Sequence, residues 1–194
     1  MAVARIRQQL YTPEEYLALE ESAEHRSEYY QGQICAMAGG TFNHEVIAGN
    51  FYAALHRYAL NGKCVAFTSN MRLLVERRGL YTYPDAMLVC GKPQFAPNRT
   101  DVILNPLILV EVLSKSTRAY DRGDKFEFYR SIPTFQDYVM VDQDRVFIEY
   151  YHKLGAQRWV LTEIDDPATV LTLQSIKLDI PVSQLYNQVD WFTP

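Results

Sequence analysis

The chain has 194 residues, 48% of them hydrophobic and 22% charged, a composition that excludes disordered and fibrous classes and suits one domain, 1–194, with an ordered core over about 12–190. Its formal net charge of −4 and pI near 5.6 argue against a generic high-affinity nucleic-acid binder, which is usually basic. No apolar run is long enough to span a bilayer and the first residues hold no apolar leader, so the expectation is a soluble, cytoplasmic protein with no membrane partner.

In chain order, Thr12-Pro13-Glu14-Glu15 reads as a helix start: a threonine cap, proline in the first turn, and acids at the positive end of the dipole. That helix runs to about Ser22. Ser27 to Ala38 reads as a hairpin turning at Gln31-Gly32. Asn43 to Leu60 is a long amphipathic helix, with Val46, Ile47, Phe51, Ala54, Leu55 and Tyr58 at helical spacing. Lys63–Thr68, Met71–Glu76, Leu80–Tyr83 and Asp85–Cys90 read as strands, and Gly91–Asn105 as a loop. Leu107 to Leu113 is the most apolar strand. Asp121 to Arg130 is a helix that puts Asp121, Lys125 and Tyr129 on one face. Gln136–Val141 and Val146–Tyr151 are strands. Trp159–Ile164 and Thr169–Leu173 are expected to pair, and Pro181–Gln188 to close the chain as a short helix. Strands with a few helices between them indicate an α/β (α+β) domain around one mixed sheet.

Charge is uneven along the chain. Between Arg57 and Arg78 five cations (Arg57, Lys63, Arg72, Arg77, Arg78) face one anion, Glu76, whereas the stretch from Val160 onward carries five anions and one cation. This leaves two readings open, a local basic face or a solvated hairpin edge. The three cysteines, Cys35, Cys64 and Cys90, are widely spaced and odd in number, so free thiols are expected, with Cys35 and Cys90 buried.

Two acids stand out. Glu111 lies inside the apolar strand, where an ionised carboxylate is costly unless it is paired, hydrogen-bonded or bound to metal. Asp85 follows Pro84 at the head of another apolar strand. Magnesium takes one or two carboxylates, keeps several waters and accepts substrate phosphate oxygens. Asp85, Glu111 and the carbonyl of Val112 could supply such a set, with a nearby lysine to orient the attacking water. Each residue also has a plainer reading. Asp85 can be a turn aspartate and Glu111 a strand-end acid reaching solvent or an arginine. Lys125 can be an exposed partner of Asp121, His44 a capping or buried histidine, and Glu28 a surface or arginine-paired acid.

Several segments occur in a telling order: Glu28-x-x-x-Gly32-x-Ile34-x-x-Met37, then His44 at the head of the long helix, then Tyr83-Pro84-Asp85. Leu109-Val110-Glu111-Val112-Leu113-Ser114-x-Ser116-Thr117 follows, then Asp121-x-x-x-Lys125-x-x-x-Tyr129 and Tyr138-Val139-Met140-Val141-Asp142. From Thr12 to about Val189 the chain resembles the PD-(D/E)XK nuclease superfamily and, within it, the Uma-type restriction endonucleases. The resemblance implies a restriction-endonuclease-like mixed sheet flanked by helices, extended here by an N-terminal hairpin and C-terminal strands. It also implies magnesium (or manganese) on Asp85 and Glu111, a DNA substrate and a homodimer. Two residues after Glu111, where the signature places lysine, stands Leu113. Lys125 is the candidate for a migrated lysine and Lys115 the second, while Glu28, His44, Val112 and Tyr129 would line the pocket. The expectation is a magnesium-dependent endodeoxyribonuclease. The alternatives are a non-catalytic nuclease-fold dimer that serves as a binding protein, and a nuclease acting on RNA.

Overall fold

The computed structural model describes residues 9–37 and 39–191. Ala38, the last residue of the expected hairpin, and the N-terminal stretch through Gln8 lie outside the described residues. Helix α1 (Pro13–Ser22) starts as its sequence requires. The Thr12 hydroxyl accepts from the Glu15 backbone N–H at 3.2 Å, and the Thr12 N–H donates to the Glu15 carboxylate at 2.7 Å. This reciprocal capping box satisfies two donors that the helix start would leave orphaned.

Strands β1 (Ser27–Tyr30) and β2 (Gln33–Ala36) form the expected hairpin. Its turn holds Gln31 at φ 48° and Gly32 at φ 85°, the left-handed pair that a two-residue hairpin demands and that glycine adopts without penalty. Helix α2 (Phe42–Ala59) follows, then β3 (Cys64–Thr68), β4 (Arg72–Val75), β5 (Leu80–Thr82) and β6 (Ala86–Cys90). After β6 come β7 (Val102–Ile103), β8 (Ile108–Leu113) and a helical segment over 118–129. The chain ends through β9 (Asp137–Asp142), β10 (Ile148–Gly155), β11 (Arg158–Ile164), β12 (Val170–Leu173), β13 (Leu178–Pro181) and helix α5 (Val182–Leu185).

The strands form three sheets rather than the single mixed sheet expected. One runs β2-β1-β5-β4-β7, a second β11-β10-β9-β8-β6-β3, and a third is the pair β12-β13. The sequence hid this because β5 and β6 are successive strands only three residues apart, which read as neighbours in one sheet. The chain leaves the first sheet at Thr82 and enters the second at Ala86, with Tyr83-Pro84-Asp85 as the corner. Two further pairings differ from expectation. Residues 158–164 pair with β10, and β12 pairs with β13, because each is joined to that partner by a shorter turn. Within the expected loop 91–105, Val102 and Ile103 add a short parallel edge to β4.

Strand β8 is central and buried on both faces, hence its continuous apolar run. Ile108, Val110 and Val112 face α2, packing with Ile47, Phe51 and Leu55. Leu109 and Leu113 face the other way, among Tyr129, Phe135, Tyr138 and Met140. Glu111 falls on this second face by the period of two. Parallel pairing of β8 with β9 requires a crossover, and the helical segment 118–129 is part of it. That segment lies over the Glu111 face.

The free-thiol expectation is corrected for two of the three cysteines. Cys64 and Cys90 sit opposite each other on β3 and β6 and form a disulfide, while Cys35 is exposed on β2. Sequence separation of 26 gave no sign of the pair, since only strand register brings the two together. Cross-linking a loop of that length stabilises by about 3 kcal/mol, chiefly by restricting the unfolded chain. Reduction, or the Cys64→Ser/Cys90→Ser double variant, is expected to lower the urea unfolding midpoint accordingly. A midpoint insensitive to reductant would contradict this.

Candidate active site

The helical segment over Glu111 is not a plain α-helix. It comprises α3 (Arg118–Tyr120), a π turn (Asp121–Lys125) and α4 (Phe126–Tyr129). A π turn widens the helix by one residue and is common where side chains must be re-aimed. Asp121, Lys125 and Tyr129 all point inward from it and are buried. The Tyr129 hydroxyl donates to Glu111 Oε1 at 2.6 Å. Lys125 Nζ lies 3.0 Å from Glu111 Oε1, 3.2 Å from Glu28 Oε1 and 3.4 Å from Asp121 Oδ1. Lys125 is therefore no exposed surface cation; it is 5% exposed at the centre of three carboxylates. Glu28 reaches this cluster from β1 and also accepts a hydrogen bond from the Thr82 hydroxyl at the end of β5.

Asp85 enters from the corner between the sheets. The β6–β8 ladder pairs Ala86 with Val110, so its continuation would set Pro84 opposite Val112. Proline has no N–H to give to the ladder. Asp85 Oδ2 takes over instead, accepting the Val112 N–H at 2.7 Å. A residue's N–H and C=O share one edge of a strand, so the Val112 carbonyl turns to the same side as Asp85. His44, in the first turn of α2 and held by the Thr41 cap, brings Nε2 to 3.3 Å from the same Asp85 oxygen. Its Nδ1 is buried without a hydrogen bond, although Glu45 Oε1 lies 3.5 Å away.

The electrostatics are those of a site with too much negative charge. Burial pushes the Glu111 carboxyl well above the ordinary range. Lys125 pulls it back only in part, and Asp121 and Asp85 push it further up. Burial also raises Asp121 despite Lys125. Lys125 moves the opposite way to a normal buried amine. Burial disfavours its charge, but Glu111, Tyr129, Glu28 and Asp121 outweigh this and hold it protonated. Burial likewise opposes charge on His44, and Asp85 overrides it, leaving the imidazole pKa raised. The acids Glu28, Asp85, Glu111 and Asp121 thus outnumber Lys125 and His44.

Among the described residues no three His, Cys, Asp or Glu side chains stand grouped as a ready-made metal cage. Magnesium does not need one, because it fills most of its shell with waters and substrate oxygens. Two hard carboxylates, a carbonyl on the same edge and a local surplus of negative charge fit such an ion. Leu113 shares the Glu111 face but is fully buried in the aromatic cluster. Lys125 instead reaches that face from the helical segment packed over it. Lys115, the second candidate for the migrated lysine, is exposed in the turn after β8.

The structure thus brings together Asp85, Glu111, Lys125, Glu28, His44, Val112 and Tyr129. Sequence reasoning named Asp121 only as a helix-face partner of Lys125 and did not single out Thr82. Asp121 carried a signal, its spacing of four from Lys125, whereas Thr82 had none. Within the cation-rich stretch 57–78, Arg57, Lys63 and Arg77 are exposed, whereas the other two cations are paired. Arg72 is buried against Glu20 at 3.5 Å, and Arg78 pairs with Glu127 at 2.7 Å.

Residues 13–183 match the model of the family Uma2, described as "Putative restriction endonuclease". Two uncharacterized proteins of Synechocystis sp. (strain ATCC 27184 / PCC 6803 / Kazusa), sll1609 and slr1290, are each 37% identical to the chain. The first alignment covers 80% of this chain and 88% of its relative, and the second 91% of both. In fold, the chain is similar to a crystal structure described as a "putative nuclease belonging to DUF820" from Anabaena variabilis ATCC 29413. The TM-score is 0.74 at 17% identity, over 91% of this chain and 98% of the other.

Proposed function

Because the chain belongs to the Uma2 family, we propose that it is a magnesium- or manganese-dependent endonuclease that hydrolyses phosphodiester bonds in DNA. In this reading Asp85 and Glu111 hold the metal and Lys125 is the catalytic cation. The observation that carries it is the buried surplus of carboxylates around two strand-end acids, which a divalent cation would relieve. When bound, such an ion supplies Lewis-acid polarisation of the phosphoryl oxygen and a water of lowered pKa. Lys125, kept protonated by its acidic neighbours, orients the attacking water and offsets charge building on the phosphate. Tyr129 and Glu28 fix the Glu111 carboxylate and the Lys125 amine in place, and His44 does the same for Asp85.

The test is cleavage of supercoiled plasmid with magnesium or manganese, alongside matched RNA. No cleavage of either under varied pH and salt removes the enzymatic reading. Uptake of metal without cleavage would instead favour a nuclease-fold binding protein, a reading that Leu113 at the signature lysine position supports. Manganese at about a hundred times its Kd is expected to raise the wild-type Tm by about 5–10 °C. Asp85→Asn keeps an oxygen for the Val112 N–H and should leave the metal-free Tm nearly unchanged. It should abolish the manganese shift and lower cleavage by at least about 10²-fold. A manganese shift of wild-type size in Asp85→Asn would remove Asp85 from the metal site.

A further inference from the structure

We propose that Tyr120 contacts the substrate directly, its ring roofing Lys125 and its hydroxyl donating a hydrogen bond to a non-bridging oxygen of the scissile phosphate. This rests on the nuclease reading above. Tyr120 is the last residue of α3, immediately before the π turn. Bonds of a π turn run five residues along the chain, which brings Tyr120 and Lys125 to one side of the helix. The Lys125 amine lies 5.8 Å from the Tyr120 ring centre, a cation–π contact. Tyr120 is half-buried, and its hydroxyl is near enough to feel Glu28, Glu111 and Asp121 as well as Lys125.

An anionic phosphodiester entering a site of carboxylates needs hydrogen-bond donors, and most donors here are already committed. Tyr129 donates to Glu111, and the Tyr138 hydroxyl to the Asp121 carbonyl at 3.1 Å. His44 lies against Asp85, and Lys125 is shared among three acids. The Tyr120 hydroxyl has no hydrogen bond to any described residue, and it is not among the solvent-shielded polar atoms that lack partners. It is therefore an open, uncommitted donor beside the Lys125 charge. Its proton stays on at neutral pH, because burial and the acids Glu28, Glu111 and Asp121 push its pKa up against the pull of Lys125.

The experiment compares wild type with Tyr120→Phe, which keeps the ring and loses only the hydroxyl, and with Tyr120→Ala. A contact to charged phosphate that tightens in the transition state predicts a fall in kcat/KM of about 10–100-fold for Tyr120→Phe, carried mainly by kcat. The Tm and the manganese-induced shift should match wild type. Tyr120→Ala should lose at least as much activity. If Tyr120→Phe cleaves within about twofold of active wild type, the proposal is overturned while the nuclease reading stands. If the Tm or the manganese shift falls along with activity, the hydroxyl is structural and the proposal is likewise overturned. If wild type cleaves nothing, both fall together.

Discussion

Lys125→Met is expected to cost about 3–5 kcal/mol of folding stability and at least about 10²-fold in cleavage. Lys125 is 5% exposed and its amine touches Glu28, Glu111 and Asp121. Removing one partner of a buried ion cluster leaves the others desolvated and uncompensated, which costs far more than the cluster is worth intact. Methionine fills nearly the same volume, so a cavity adds little. The pH dependence separates this cause from a general packing defect. The stranded Glu111 and Asp121 carboxyls, both already raised by burial, can escape by taking up protons, so the deficit against wild type should be largest near neutral pH and shrink toward acid. Urea titrations across pH read it directly. A deficit that stays constant with pH would show that packing, not charge, is responsible.

The second large effect separates stability from activity. Glu111→Gln should lower cleavage by about 10³-fold or more while making the metal-free protein more stable above neutral pH. In the folded chain the Glu111 pKa lies well above its ordinary value of 4.5, chiefly through burial. A group raised on folding contributes its stability in full below the unfolded pKa and loses it as pH rises through the folded one. The wild-type protein therefore weakens as the pH climbs past the raised Glu111 value. Glutamine is neutral throughout and still accepts from Tyr129 and Lys125. The variant should pull ahead of wild type as pH increases, and the gap should close toward pH 4. Chemical denaturation of both proteins at several pH values measures this. A variant less stable than wild type at alkaline pH would mean that the Lys125 attraction outweighs the burial penalty.

Much of this architecture was legible in the sequence, for identifiable reasons. The α1 cap, the Gln31-Gly32 turn and the apolar spacing of α2 are local signals, and each element formed at about its expected bounds. Glu111 was conspicuous because β8 is buried on both faces and reads as unbroken apolar sequence around one acid. The spacing of Asp121, Lys125 and Tyr129 placed them on one face, and the structure puts that face over Glu111. What stayed hidden depends on long-range register. The chain changes sheets at Pro84, between two strands whose closeness in sequence suggests one sheet. The Cys64–Cys90 pairing follows from how β3 meets β6. The π turn has no periodicity of its own to read, and without it Tyr120 had no reason to be singled out. The aim of the Lys125 side chain belongs to the same class, since sequence spacing cannot tell a buried face from a wet one.

One amine grips acids from both large sheets. Glu28 belongs to the sheet made by the N-terminal hairpin, Glu111 to the other, and Lys125 arrives with the crossover between β8 and β9. During synthesis the Glu28 hairpin emerges long before that crossover exists. The half-made chain carries the acids but cannot arrange them, because closing these contacts requires both layers and the segment that bridges them. These contacts therefore cannot close until both sheets and the crossover between β8 and β9 are in place.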